Sequence, residues 1–163
     1  MAIAFIGLGS NIGDREAHLA SALEEIRRLP GTQLMKSSAW IETEPIGGPP
    51  QGKFLNGAAA IETGLPPETL LHYLQKIEQK LGRPLKRIPW GPRVIDLDLL
   101  TYKDLLLKTP ELTLPHPRMQ ERPFVLIPLA EIAPTWRHPQ LGKSAYQLLT
   151  QAAVAHAHRQ KPG

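Results

Sequence analysis

The chain predicts an α+β fold: an antiparallel sheet with helices on one face, followed by a C-terminal extension. Three observations point there. Short β-type apolar runs and helix-periodic stretches follow one another in the order βαββαβ. Proline and glycine punctuate almost every junction, with 17 prolines and 13 glycines in 163 residues. A chain of this length buries a core without staples, and it contains no cysteine to make any.

The elements follow in order. Residues 2–9 are an apolar run ending in Gly-x-Gly and read as a buried strand. Asp14 caps a helix over 15–29, whose Leu19, Ala22, Leu23, Ile26 and Leu29 recur at helical spacing before Pro30-Gly31 stops it. Residues 33–43 read as a second strand, and 45–52 as a Pro/Gly loop. A third strand spans 54–63. Pro66-Pro67 opens a second helix with the stripe Leu70, Leu71, Leu74, Ile77 and Leu81, ended by Gly82. A basic Pro/Gly loop covers 83–93, and 94–102 is a fourth strand. Short helices are expected near 124–132 and 145–156. This order matches the split βαβ, ferredoxin-like arrangement. One domain is expected over 1–163, with 158–163 as a frayed tail.

Lys plus Arg is 19 against 15 for Asp plus Glu, a net charge of +4. The N-terminus has no basic leader pattern, and no apolar stretch reaches bilayer length. A cytoplasmic protein is expected. The absence of cysteine excludes disulfides, thiolate metal sites and cysteine nucleophiles.

Only four aspartates occur, and two of them, Asp96 and Asp98, stand two residues apart on the fourth strand. Alternation puts both on one face, roughly 7 Å apart at Cα. Such a pair suits Mg²⁺, which takes one or two carboxylates plus water and substrate phosphates. Alone it reads more often as a solvated polar face. The preceding stretch shifts the balance: from Lys76 to Arg93 there are six basic residues and one acid. Phosphate-binding cations beside metal-binding carboxylates are what a nucleoside triphosphate requires. Trp90 can stack on a planar ring or anchor the loop. His116, between Pro115 and Pro117, is held in a stiff segment and can donate to phosphate or act as an acid. Arg122 adds a cation and Phe124 a flat ring, and Asn56 can both donate to and accept from a heterocycle edge. Gly7-Leu8-Gly9-Ser10-Asn11-Ile12-Gly13 is one residue too long for a dinucleotide fingerprint, and no P-loop is present.

Taken together, Gly7-Leu8-Gly9-Ser10-Asn11, Phe54-Leu55-Asn56, Trp90-Gly91-Pro92-Arg93-x-x-Asp96-Leu97-Asp98 and Leu114-Pro115-His116-Pro117-Arg118-Met119 resemble the 6-hydroxymethyl-7,8-dihydropterin pyrophosphokinases of folate biosynthesis. The resemblance covers residues 2 to about 135, and the Gly-Pro-Arg-x-x-Asp-Leu-Asp run is its most specific part. It implies a ferredoxin-like monomer that moves the terminal pyrophosphoryl group of ATP onto the pterin hydroxymethyl group, releasing AMP. It implies that Asp96 and Asp98 bind two Mg²⁺ ions and, with Arg83 and Arg93, form the catalytic set. Gln75, Glu78, Arg83, Trp90, Arg93, Leu99, Thr113, His116 and Arg122 would line the ATP site. Thr43, Pro45, Ile46, Phe54, Asn56, Trp90, Asp96 and Phe124 would hold the pterin, Phe54 and Phe124 sandwiching its ring. The loops at 44–53 and 83–92 would close over both substrates and exclude water.

Two departures stand out. The family loop commonly reads Gly-Arg-x-Arg, whereas Leu85 occupies the second arginine position here; Lys86 or Arg87 is the candidate replacement. Pro123 stands where a small residue is usual. Two rival classes compete with this reading. An RNA-binding module of βαββαβ order needs exposed aromatics on its central strands, and 54–61 carries no Lys/Arg-Gly-Phe pattern. A catalytically inactive nucleotide-binding regulator is disfavoured by the intact Asp96, Asp98 and His116. Small-molecule substrates are therefore expected, with neither nucleic acid nor membrane as a partner.

Overall fold

The computed structural model describes residues 1–44, 52–82 and 94–160, with 156–160 described by backbone alone. The element order is β1 (Ala2–Ser10), α1 (Arg15–Arg27), β2 (Thr32–Ser37), β3 (Ile41–Thr43), β4 (Phe54–Thr63), α2 (Pro67–Lys80), β5 (Asp96–Tyr102), β6 (Leu107–Lys108), β7 (Thr113–Leu114), a 3-10 turn (Met119–Glu121), α3 (Pro123–Ile132) and α4 (Ala145–Gln160). The main sheet has five strands in the order β2-β4-β1-β5, with β3 also on β4, and every pairing is antiparallel. β6 and β7 make a separate hairpin.

Local chemistry accounts for the helices. The Asp14 carboxylate accepts from the Ala17 amide at 3.1 Å, capping α1. α1 buries Leu19, Ala22 and Ile26, and α2 buries Leu70, Leu74 and Ile77. Both pack on one face of the sheet against Ile6, Leu8, Ile61, Leu97 and Leu99. Each fully buried aliphatic side chain contributes roughly 1.5–3 kcal/mol.

The opposite face is apolar too, and this corrects the expectation of helices on one face only. Phe5, Ala58, Ala60 and Leu100 point there, and the C-terminal extension covers them with Met119, Val125, Leu129 and Ile132. α4 then packs on α3 through Leu148, Ala152 and Leu126. The layers run α1/α2, sheet, α3, α4. α4 reaches Gln160, beyond the expected end at 156.

The expected second strand, 33–43, is two strands. Ser38 interrupts it: its amide donates to the Ala58 carbonyl at 2.9 Å while its hydroxyl accepts from the Ala58 amide at 2.9 Å. A side chain thus replaces one ladder bond, and Trp40 turns inward onto the core. The hairpin of β6 and β7 was not anticipated. Its two pairs, Leu107 with Leu114 and Lys108 with Thr113, are too short to show a period. Among the described residues no helix is long and apolar enough to cross a membrane.

Trp40 occupies the space that a side chain on Gly57 would need, because a Cβ there overlaps the indole ring and lies 3.0 Å from the Ser38 hydroxyl. Gly57→Ala is therefore expected to cost about 1–3 kcal/mol through overpacking. Urea unfolding measures this, and an unchanged midpoint would show that Trp40 moves freely.

Candidate active site

β1 is the centre of the site because it pairs on both sides. Gly9 stands opposite Asn56 on β4 and opposite Asp96 on β5. Gly7 stands opposite Ala58 and Asp98 in the same way. Residues directly opposite share a face, so Asn56, Gly9 and Asp96 form one row and Ala58, Gly7 and Asp98 the next. With strands about 4.8 Å apart, each row spans roughly 10 Å. Its middle carries no side chain. This is the face that α3 covers further along, at Phe5 and Leu100. Beyond that cover lies a glycine floor between an amide and two carboxylates.

The floor is tight at Gly9, whereas a Cβ on Gly7 would make only an ordinary contact with Leu100 at 3.5 Å. A Cβ on Gly9 would lie 2.8 Å from Asn56 Oδ1 and 3.6 Å from the Phe54 ring. Asn56 is buried, and its Nδ2 donates to Thr43 Oγ1 at 2.5 Å. Thr43 itself pairs with Phe54. Thr43, Phe54 and Asn56 therefore stand together at one end of the floor. Phe124, partly buried at the start of α3, packs against the second core with the Arg122 guanidinium 5.6 Å from its ring centroid.

On the other side, β5 is held from beneath. Glu78, on α2, is 1% exposed, and its Oε2 accepts from the Leu97 amide at 2.8 Å. Leu97 lies between the two aspartates, so this bond fixes the strand segment that carries both. The family resemblance assigns Glu78 to the ATP site, and in the fold its carboxylate engages the Leu97 amide on β5. A cleft of about 240 Å³ runs beside Asp98, walled by Leu71, Leu97, Leu99, Leu112, Thr113 and His116 among others. It brings Leu99, Thr113 and His116 together. Gln75 lies one helical turn after Leu71, exposed on α2. Leu71 and Leu112 were missed as cleft residues, since in sequence they are only apolar positions.

His116 is fixed at both ends. Its amide donates to the Leu100 carbonyl at 2.8 Å, and its Nδ1 accepts from the Arg118 amide at 3.3 Å. That assigns the ring proton to Nε2. Burial first, then the neighbouring Arg122 charge, push its pKa down to about 4, against an opposing pull from Asp96. Burial thus favours the neutral imidazole at pH 7, with the proton on Nε2.

Among the described residues no three His, Cys, Asp or Glu side chains gather as a metal cage. Asp96 and Asp98 stand as a pair of carboxylates on one face of β5. Pro45, Ile46, Arg83, Trp90 and Arg93, together with Lys86, Arg87 and most of both expected closing loops, lie outside the described residues.

Comparison with known proteins is consistent along the whole chain. Residues 5–134 match the family model for 7,8-dihydro-6-hydroxymethylpterin-pyrophosphokinase. A 2-amino-4-hydroxy-6-hydroxymethyldihydropteridine pyrophosphokinase of Synechocystis sp. is 45% identical over 148 residues, covering 91% of this chain and 75% of that protein. The protein of that name from Bacillus subtilis is 43% identical over 161 residues, covering 99% of this chain and 93% of its own. A crystal structure of Plasmodium falciparum HPPK-DHPS with pteroate superposes with a TM-score of 0.76 at 14% identity, covering 98% of this chain. That likeness shows the fold, and this chain spans 43% of the HPPK-DHPS chain. The length of the family match and the level of identity to full-length relatives lead to one conclusion: the chain belongs to the 7,8-dihydro-6-hydroxymethylpterin-pyrophosphokinase family.

Proposed function

We propose that the protein transfers the terminal pyrophosphoryl group of ATP to the hydroxymethyl group of 6-hydroxymethyl-7,8-dihydropterin, giving AMP and the pterin diphosphate in folate biosynthesis. The observation that carries the reading is the row Asn56, Gly9, Asp96. A side-chain-free floor roughly 10 Å wide suits a flat bicycle lying against the sheet. Asn56 reads the heterocycle edge with the backbone around Thr43, Pro45 and Ile46. Phe54 and Phe124 stack on its faces, where offset aromatic contacts add to area burial. Trp90 is assigned to both the pterin and ATP.

ATP occupies the cleft beside Asp98, with Leu99 and Thr113 at its wall. Arg83, Arg93 and Arg122 are assigned to the phosphates, and His116 donates from Nε2. Gln75 lies at the cleft's outer edge. Glu78 supports Asp96 and Asp98 through the Leu97 amide. The fit for Mg²⁺ rests on the donor set: two carboxylates on one face leave the remaining positions to phosphate oxygens and water, as Mg²⁺ prefers. When bound, the two metal ions neutralise charge on the triphosphate. The pterin hydroxyl oxygen attacks the β-phosphorus, the bond from that phosphorus to the α–β bridging oxygen breaks, and AMP leaves. The hydroxyl proton passes to solvent. The protein contributes position and fixed positive charge.

The strand order supports the ferredoxin-like arrangement, with the extension as a second layer. A monomer acting in the cytoplasm on small molecules, without nucleic acid, completes the reading.

The direct test mixes the protein with ATP, Mg²⁺ and 6-hydroxymethyl-7,8-dihydropterin and quantifies products by chromatography with mass detection. AMP rising in step with pterin diphosphate is expected; ADP with a pterin monophosphate would overturn the reaction type. In the same assay Asp98→Ala is expected to lose about 10²–10³-fold in turnover while its unfolding midpoint stays near that of the parent. Near-parental activity at limiting Mg²⁺ would remove Asp98 from the metal site.

A second prediction follows from His116. Unfolded histidine takes up a proton near pH 6.5, whereas folded His116 resists it until about pH 4. The unfolded state therefore binds more protons in that window, and stability falls as pH drops from 6.5 toward 4. His138, also lowered by burial, adds to the same slope. Urea unfolding at stepped pH is expected to show a shallower slope for His116→Asn, and an unchanged slope would refute the neutral assignment.

A further inference from the structure

β3 holds itself in place weakly. It offers three residues to β4 and is separated from β2 by the Ser38 break. Strand pairs this short are marginal in water without outside support. Yet its last pair, Thr43 with Phe54, forms one end of the glycine floor.

Outside support comes from α3, whose Glu131 accepts from the Ala39 amide at 2.8 Å just before β3, and from α1. Arg15, its first residue, sends Nη2 to Glu42 Oε2 at 2.9 Å and Nη1 to the Lys53 carbonyl at 2.9 Å. One guanidinium thereby joins β3 to the residue just before β4 and ties both to a helix anchored in the core by Leu19, Ala22 and Ile26. The Arg15 bond holds the Glu42 carboxyl below the usual carboxylate range. Lys53 Nζ adds contacts at 3.8 Å to Glu42 and 3.4 Å to Glu44. Only a planar fork serves both strands at fixed angles; an ammonium is a single point charge.

We propose that Arg15 is a positioning residue for the pterin: it staples β3 to the start of β4 and so sets the separation of Thr43, Phe54 and Asn56. The inference rests on the pterin reading above. In this reading Arg15 acts through Glu42 and the Lys53 carbonyl rather than by contact with a reactant. Its role is local, because the Arg15 and Glu42 side chains are 29% and 48% exposed, and ion pairs at such exposure add little to global stability.

The test compares the full-length parent with Arg15→Ala and Arg15→Lys. Steady-state kinetics are run with each substrate varied, beside hydrogen exchange of 41–43 and 54–56 without ligand. For Arg15→Ala the pterin KM is expected to rise about tenfold, with kcat and the ATP KM within about twofold. Exchange at 41–43 is expected to accelerate while the melting temperature holds. Arg15→Lys is expected to recover part of the pterin KM, since it keeps the ion pair and loses the fork. Equal rises in both KM values, or faster exchange with an unchanged pterin KM, would overturn the positioning role. Unchanged exchange together with an unchanged pterin KM would overturn the staple itself while leaving the function standing. Failure of the parent to turn over pterin, with exchange still accelerated in Arg15→Ala, would overturn the function and with it the pterin role, leaving only a structural staple.

Discussion

The pairing of β1 with β4 on one side and β5 on the other is the constraint on which the remaining geometry depends. Three strands distant in sequence must agree on one register at Gly9 for Asn56 and Asp96 to face each other. A slip of one residue would turn every side chain to the other face, sending the aspartates into the core. That slip is resisted twice. Ile6, Leu8, Leu97 and Leu99 fill the α1/α2 side, and Phe5, Ala58 and Leu100 fill the α3 side. Leu99 and Leu100 serve opposite cores by the ordinary alternation of a strand. The register shift between Phe5 and Ile6 makes Leu100 an extra residue, so that Tyr102 lies opposite Ala4 and joins the α1/α2 side. The two hydrophobic layers thus fix the alignment of the polar row.

Much of this was legible before any coordinates. Periodicity marked β1, α1, β4, α2 and β5, and the Asp14 cap and the Pro66-Pro67 start stand where local chemistry put them. The spacing of Asp96 and Asp98 placed them on one face of one strand. What was not legible depended on partners remote in sequence. The break at Ser38 arises from its hydroxyl bonding Ala58, and no window around residue 38 contains that partner. The second apolar face escaped notice because Ala58 and Ala60 in a strand carry little hydrophobic signal, although α3 needs them small. Glu78 reads as a polar position on an amphipathic helix; its burial follows from Leu97, on another element. Arg15 reads as a first-turn surface residue until β3 and β4 are brought to it.

The C-terminal extension does two jobs in one piece of chain. Its apolar face, from Met119 to Ile132, closes the second core. Its N-terminal portion delivers His116, Arg122 and Phe124 to the open end of the same sheet face. Prolines at 115, 117 and 123 reduce the freedom of that segment, and the His116 amide is tied to the Leu100 carbonyl. Burial there favours the neutral form of the imidazole.

The order in which the row is completed has a consequence for biosynthesis. As the chain leaves the ribosome, β1 appears first, and β4 gives it one neighbour. Its other edge stays open until β5 has been made, and the second face stays bare until α3 follows. Pairings so remote in sequence carry a high loop-closure cost and form slowly. Competence to bind both substrates is therefore acquired late and all at once. A nascent or truncated chain ending before β5 would present an unpaired central strand, which is the form most open to association with other chains and to capture by chaperones.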